Sequence, residues 1–459
     1  MTDARQKDLD RLNRMFKEAE QAAEAGWLGD LYEELVAGDR YLKQVVDHNL
    51  PAQTLSPEEP GAEDMFWGAI PAFFAYPPEE LPWVLRHAMK RFAEIRVDGH
   101  SIIPPTTIVP EARWNEFLNC AEEEGVVDGN GDIWGTSKYQ QLDWRWIQAL
   151  LDTYLTPKND KLYKKEGQVI RIGDKVNIGL VGDWGTGTAP ATKVIAAAAG
   201  RKPDYLVHLG DVYYSGRDSS FWDRLDDTEE EKHKFVDLWR QNVKGIESFA
   251  LNSNHEMYSK ARGYFEDALK NGPFQAQKRA SHFLLQNDHW QVFGLDTAWA
   301  AKPYLYMEGA LNEDQTDFLG AHADPKKKVI LLSHHTGLST DGTRVRDALW
   351  GQIETALKRQ PDYWYWGHIH NGIVYNGVGR QPEGRNHTKC RCVGHGAIPF
   401  GLAWGLEKYR GDGKPIAHFS TKSRGSSGNE LMNGFATLEL DKEDIAERFF
   451  TEDGSRAWP

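Results

Sequence analysis

Five short segments of this chain place metal-binding residue types directly after apolar runs. They are Val176-Asn-Ile-Gly-Leu-Val-Gly-Asp-Trp-Gly-Thr-Gly-Thr188, Gly210-Asp-Val-Tyr-Tyr214, Ser253-Asn-His-Glu256, Ser333-His-His335 and Gly367-His-Ile-His370. Together they offer carboxylate, phenol, amide oxygen and imidazole. Carboxylate and carbonyl oxygens favour hard cations, and imidazole suits zinc, iron and manganese. His368 and His370 are two apart, so on extended backbone they project to one side, whereas the adjacent Asn254 and His255 diverge. One of that second pair can then bind metal while the other faces a substrate.

The first segment, taken alone, also admits a nucleotide reading. Gly182, Gly185 and Gly187 follow an apolar run, and Pro190 can begin a helix whose N-terminus favours anions. The spacing is not Gly-x-Gly-x-x-Gly, however, and no Gly-Lys-Ser/Thr sets a lysine on the phosphates. A plain turn, a phosphate cradle and a metal loop all remain compatible with this stretch by itself. The four other segments tip the balance to metal.

Elements must position these residues. Short apolar runs at 176–181, 205–209, 248–251, 292–295, 329–332 and 363–366 each lead into a polar group, and helical stretches such as 191–199 and 229–243 lie between several of them. Continuous apolar strands alternating with helices predict a buried, largely α/β sheet, whose ligands gather at the carboxyl ends of the strands. The segment 439–450 reads as a closing hairpin. Before the lysine-rich connector 158–165 the text is helical and loop-rich, with apolar residues at helical spacing in 81–92 and 142–150. Asp128-Gly-Asn-Gly-Asp132 resembles the start of a calcium loop, but Ile133 and Tyr139 stand where the turn glycine and closing glutamate belong, so a hairpin turn is expected.

Bulk properties narrow the classes further. At 459 residues the chain exceeds one usual core, so about two domains are expected. We place them at 1–165, mostly helical and of unassigned role, and 166–459. A net charge of −14 disfavours duplex nucleic acid and anionic membranes as partners. Cys390 and Cys392 are too close for a Cys-x-x-Cys pair and read as a buried strand. The charged N-terminus lacks a secretory apolar core, and 65–76 is too short to span a bilayer, so a cytoplasmic location is expected.

The residues resemble the calcineurin-like metallophosphoesterase superfamily, whose blocks are Asp-x-His, Gly-Asp, Gly-Asn-His-Asp/Glu, a later His, and Gly-His-x-His. Two details resemble the purple acid phosphatase branch: Gly185 replaces the histidine of Asp-x-His, and Tyr214 follows Asp211 by three places. The resemblance implies a four-layer α/β/β/α sandwich carrying two metal ions. One ion would be held by Asp183, Asp211, Tyr214 and His370, the other by Asp211, Asn254, His334 and His368, with Asp211 shared. Fe3+ is expected at the Tyr214 site, with Fe, Zn or Mn as divalent partner. His335 can exchange roles with His334, because the expected proline after the next residue is absent. Ser253 stands where the pattern has glycine.

The activity implied is hydrolysis of phosphate esters by metal-activated water, phosphomonoesters first, acting on a small substrate. A phosphodiesterase or phosphotriesterase on the same fold is the alternative; a metal-loaded scaffold without turnover is the alternative of another class. His255 is the expected catalytic histidine and, with Asn254, a substrate contact. Glu256 would orient it or be solvated. Arg217 reads as a substrate contact or a surface ion pair, Tyr213 as a substrate contact, His395 as pocket-lining or structural, and Trp184 and Trp299 as an apolar wall.

Overall fold

The computed structural model describes residues 96–97, 100–101, 139, 156, 158–218, 229–301, 306, 308–376, 388–399, 406–421 and 431–459. The chain divides into two compact units, Met1–Tyr154 with Trp222–Thr228, and Leu155–Phe221 with Glu229–Pro459. The connector 158–165 belongs to the second unit. In the first, the described secondary structure is the antiparallel pair β1 (Arg96–Val97) and β2 (His100–Ser101). The helices expected at 81–92 and 142–150 and the turn at 128–132 lie outside the described residues.

The second unit holds two sheets. The six-stranded sheet has the order β16-β15-β14-β4-β5-β6, and the eight-stranded one β13-β11-β12-β10-β9-β8-β7-β3. In the first, β4 (Lys175–Val181), β5 (Tyr205–His208) and β6 (Glu247–Ala250) run parallel, and β14 (Gly434–Asp441), β15 (Asp444–Thr451) and β16 (Arg456–Trp458) extend it antiparallel. The hairpin of β14 and β15 is the one expected over 439–450. The second sheet has a parallel centre of β8 (Trp290–Gly294), β9 (Lys328–Ser333), β10 (Tyr363–Trp366) and β12 (Lys389–Val393). It is bordered on one side by β7 (Phe283–Gln286) and β3 (Gln168–Arg171), and on the other by β11 (Gly372–Tyr375) and β13 (Ile416–Phe419). Both cysteines on β12 are buried free thiols.

Strand periodicity explains the layers. On β10 the sequence is Tyr-Trp-Tyr-Trp: Tyr363 and Tyr365 enter the core between the sheets with Leu180, Phe249, Phe283 and Leu332, while Trp364 faces Trp350 of the outer helix α5 (Asp347–Leu357). Helix α4 (Glu313–His322) covers the same outer face through Phe318 against Phe293, its first turn capped by Asn312 on the Gln315 amide. On the other side α1 (Ala189–Gly200) begins with Pro190 and buries Ala191, Val194, Ile195 and Ala198, spaced along one stripe. Helix, sheet, sheet and helix therefore stack in that order. The carboxyl ends of β4, β5, β6, β9 and β10 carry the residues singled out above. No helix among the described residues is long and apolar enough to cross a membrane.

Candidate metal centre

Three of these strands end in left-handed backbone at a side chain rather than a glycine: Asp183 (φ 54°), Asp211 (φ 79°) and His368 (φ 66°). Such conformations cost about 1–3 kcal/mol each and persist only when their surroundings over-determine them. Here they do. The Asp183 amide donates to the Gly210 carbonyl at 3.0 Å, and the His368 amide donates to Asp183 Oδ2 at 2.9 Å, tying the end of β10 to the end of β4. The result points several side chains at one buried spot between the two sheets.

Around Asn254 several ligand-type atoms converge, and for His334 the hydrogen is placed elsewhere. His334 donates Nδ1–H to the Leu209 carbonyl at 2.8 Å, and burial pushes its pKa below the usual histidine value, so Nε2 carries a lone pair. That lone pair faces Asn254 Oδ1 at 2.8 Å and Asp211 Oδ1 at 3.2 Å. Asn254 donates Nδ2 to the Tyr258 hydroxyl at 3.0 Å, which turns Oδ1 inward, and His368 Nδ1 lies 3.2 Å from the same oxygen. Lone pairs at these separations repel unless a cation sits among them. One carboxylate, one amide oxygen and two imidazoles have the chemistry of a divalent-ion site, but among the described residues three carboxylate and imidazole atoms come within 4.8 Å of one another only in the set that follows.

A second set shares Asp211. The ligating atoms of Asp183, Asp211 and His370 lie within 4.8 Å of one another, all buried. A phenol joins them: Tyr213 donates to Asp211 Oδ2 at 2.7 Å and lies 3.2 Å from His370 Nε2 and 3.4 Å from Asp183 Oδ1. This differs from the sequence expectation, which took Tyr214. The backbone here is a turn after an isolated bridge and not a continuing strand: Val212 bridges to Gly185 and the Tyr213 amide donates to the Gly185 carbonyl, which anchors the turn with the Tyr213 hydroxyl on Asp211. Tyr214 instead gives its carbonyl to His255 Nδ1 at 2.7 Å and sets its ring near the Lys234 ammonium, 5.4 Å away. Gly185 is needed for the bridge, since a Cβ there would stand 2.7 Å from the Val212 Cα.

The electrostatics of the two carboxylates diverge. Burial and the neighbouring Asp211 push the Asp183 carboxyl well above its usual range. Burial acts on Asp211 in the same sense, but His255, His334, the Ser253 hydroxyl and His370 together hold it below that range. Burial, Asp211 and Asp183 push the Tyr213 phenol well above its usual value. A cation in the first set would favour the charged forms of Asp183 and Tyr213 instead.

The remaining predicted residues fall as follows. His335 is turned away, with Nδ1 on Thr297 Oγ1 at 2.9 Å and Nε2 on the Tyr306 carbonyl at 2.6 Å, so His334 is the inward member of the pair. His255 Nε2 lies 3.8 Å from Asp211 Oδ2, at the rim of the first set. Glu256 is fully buried, in contact with Ser253 Oγ and the Val212 amide, and is not the solvated group considered above. Arg217 is buried too, 3% exposed, and not in a surface ion pair. Trp184 is a core residue against Phe235 and Trp239, and His395 is buried near Phe449. Sequence reasoning missed Tyr258, which orients Asn254, and Glu230, whose carboxylate accepts the Tyr214 and Ser215 amides at 2.8 and 2.9 Å. Neither carries a motif that would have flagged it.

Residues 176–372 match the family described as calcineurin-like phosphoesterase. Among solved structures, GAP50, the anchor in the inner membrane complex of Plasmodium, is similar at 12% identity and a TM-score of 0.42, over 62% of this chain and 86% of that one. A dimetal phosphatase from Danio rerio is similar at 12% identity and a TM-score of 0.38, over 61% and 97%. PhoD is similar at 10% identity and a TM-score of 0.38, over 61% and 70%. No curated protein matches the chain.

Proposed function

We propose that the chain, whose residues 176–372 match the calcineurin-like phosphoesterase family, is a phosphomonoesterase that works with two metal ions and whose catalytic domain is 166–459. In this reading Asp183, Asp211, Tyr213 and His370 hold Fe3+, and Asp211, Asn254, His334 and His368 hold a divalent Fe, Zn or Mn. Two carboxylates and an ionisable phenol suit a trivalent ion; one shared carboxylate with neutral donors suits a divalent one. When bound, such a pair supplies an acidified water and Lewis-acid stabilisation of the phosphoryl charge.

The chain's own residues do the rest. Asp211 is shared, with Oδ1 toward His334 and Oδ2 toward Tyr213. His255 spends Nδ1–H on the Tyr214 carbonyl, which leaves Nε2 at the rim to hold the proton that a departing ester oxygen needs. No serine or cysteine nucleophile enters this route.

The observation that carries the proposal is the approach of the His334 Nε2 lone pair to Asn254 Oδ1 at 2.8 Å and Asp211 Oδ1 at 3.2 Å, with Nδ1 committed to the Leu209 carbonyl. Elemental analysis of the purified protein, with parallel assays on aryl phosphate monoesters, diesters and triesters, tests it. Two ions per chain and fastest turnover of the monoester are expected. A diester or triester preference would reassign the substrate. Two ions with no turnover of any ester would make the protein a metal-loaded scaffold.

A further inference from the structure

Ser253 departs from the glycine of the family pattern, and its side chain sits at the centre of the cluster. It is fully buried and is the residue before helix α3 (Asn254–Tyr258), where its Oγ accepts the His255 amide at 3.1 Å. The same Oγ donates to Asp211 Oδ1 at 2.5 Å and touches Glu256 Oε2. A hydroxyl has one hydrogen, so with carboxyl oxygens of Asp211 and Glu256 both against Oγ it donates to one of them, and the second contact needs a proton shared between Oγ and the other carboxyl.

Which Asp211 oxygen it holds is the informative point. Oδ1 is the oxygen 3.2 Å from His334 Nε2; Oδ2 is the one bound by Tyr213 and lying 4.0 Å from His370. We propose that Ser253 is a positioning residue that fixes Asp211 Oδ1 for the cation of the Asn254–His334–His368 set, and that it stands between this oxygen and the buried Glu256 carboxyl. The proposal rests on the two-cation reading given above. A glycine here would leave Asp211 Oδ1 without that donor, and Glu256 would face the shared carboxylate directly. Loss of an outer partner of a metal ligand typically costs about 10–100-fold in metal affinity.

The test is calorimetric titration of the metal-stripped full chain with Zn2+ alone. Wild type should bind in two steps, and His334→Ala identifies the second-set step as the one it loses. In Ser253→Gly, which keeps the helix start because glycine is tolerated there, that step should weaken by about 10–100-fold while the other stays within about threefold. Ser253→Ala should behave alike, and Ser253→Thr, which keeps the hydroxyl, should restore the step. Should Ser253→Ala or Ser253→Thr fail to fold, the glycine variant decides. Unchanged steps in Ser253→Gly overturn the proposal, as does an equal loss in both, which would make Ser253 a general part of the turn. Wild type taking up no Zn2+ overturns the two-cation reading instead.

Discussion

The donor set around Asp183 and His370 differs from the one around Asn254 and His334 in charge and in the sheet that carries most of it. The first draws Asp183, Asp211 and Tyr213 from the six-stranded sheet and only His370 from the other; the second draws His334 and His368 from the eight-stranded sheet and Asn254 from the six-stranded one. Two carboxylates and a phenol crowd the first. Neutral imidazoles and an amide fill the second, with the shared Asp211 as its one anion. In the proposed two-ion reading, unequal sets sharing Asp211 would separate the demands of the two ions: the one beside Tyr213 would favour a phenolate, and the other would meet mostly neutral donors. Each set also spans both sheets, so cation binding should tie the two halves of the sandwich together.

Changing the shared residue breaks both sets at once. Asp211→Asn should abolish metal-dependent ester hydrolysis, a loss beyond the roughly 100-fold typical of outer partners, and metal analysis should return fewer than two ions per chain. Retention of both ions would show that Asp211 is not shared. His255→Ala should cost next most, about 10²–10⁴-fold in kcat, with both ions still bound. A substrate whose leaving group needs no proton should narrow that loss; an equal loss on good and poor leaving groups would assign His255 to binding of the phosphoryl charge.

The two neighbouring tyrosines sharpen the contrast between the sets. If Tyr213 is the phenol of the first set, loading with Fe3+ should give a visible tyrosinate absorption that Tyr213→Phe loses and Tyr214→Phe keeps. Activity should fall about 10–100-fold in the first variant and much less in the second. The reverse pattern would restore the spacing-based assignment to Tyr214.

That assignment shows what was legible. The strands could be read because β9 and β10 are almost unbroken apolar runs and β4 is apolar but for Lys175, Asn177 and Gly179, and each stops one or two residues before the side chain that turns inward. Most donors could be read because their types cluster at those stops. Tyr213 could not, because the turn that decides between it and Tyr214 is anchored by a bridge to Gly185, a contact with another loop. His334 and His335 could not be separated either: their partners are the Leu209 carbonyl, 125 positions away, and the Tyr306 carbonyl, 29 positions away. Adjacent identical side chains are told apart only by the carbonyls that meet them. The burial of Glu256 and Arg217 escaped for the same reason, since charged residues after a motif ordinarily face water.

The smallest expected effect on turnover concerns the support beneath the first set. Glu230 accepts the amides of Tyr214 and Ser215 and pairs with the buried Lys234 at 2.8 Å, holding the loop just past Tyr213. Burial opposes its charge, but Lys234, Arg217 and these donors outweigh burial and hold its pKa down to about 2, against an ordinary 4.5. A carboxyl depressed on folding contributes stability that is fully present above its unfolded pKa and lost as pH falls through the folded one. The shift corresponds to about 3 kcal/mol, present at neutral pH and declining between about 4.5 and about 2. Glu230→Gln should therefore lower stability to urea at pH 7 by about that amount, and the gap to wild type should close as acid is added through that window. Because this support lies next to Tyr213, the variant should, in the proposed two-ion reading, loosen the cation beside Tyr213 more than the one beside Asn254 at pH 7. A gap that stays constant down to pH 2 would mean that Glu230 contributes by packing and not by charge.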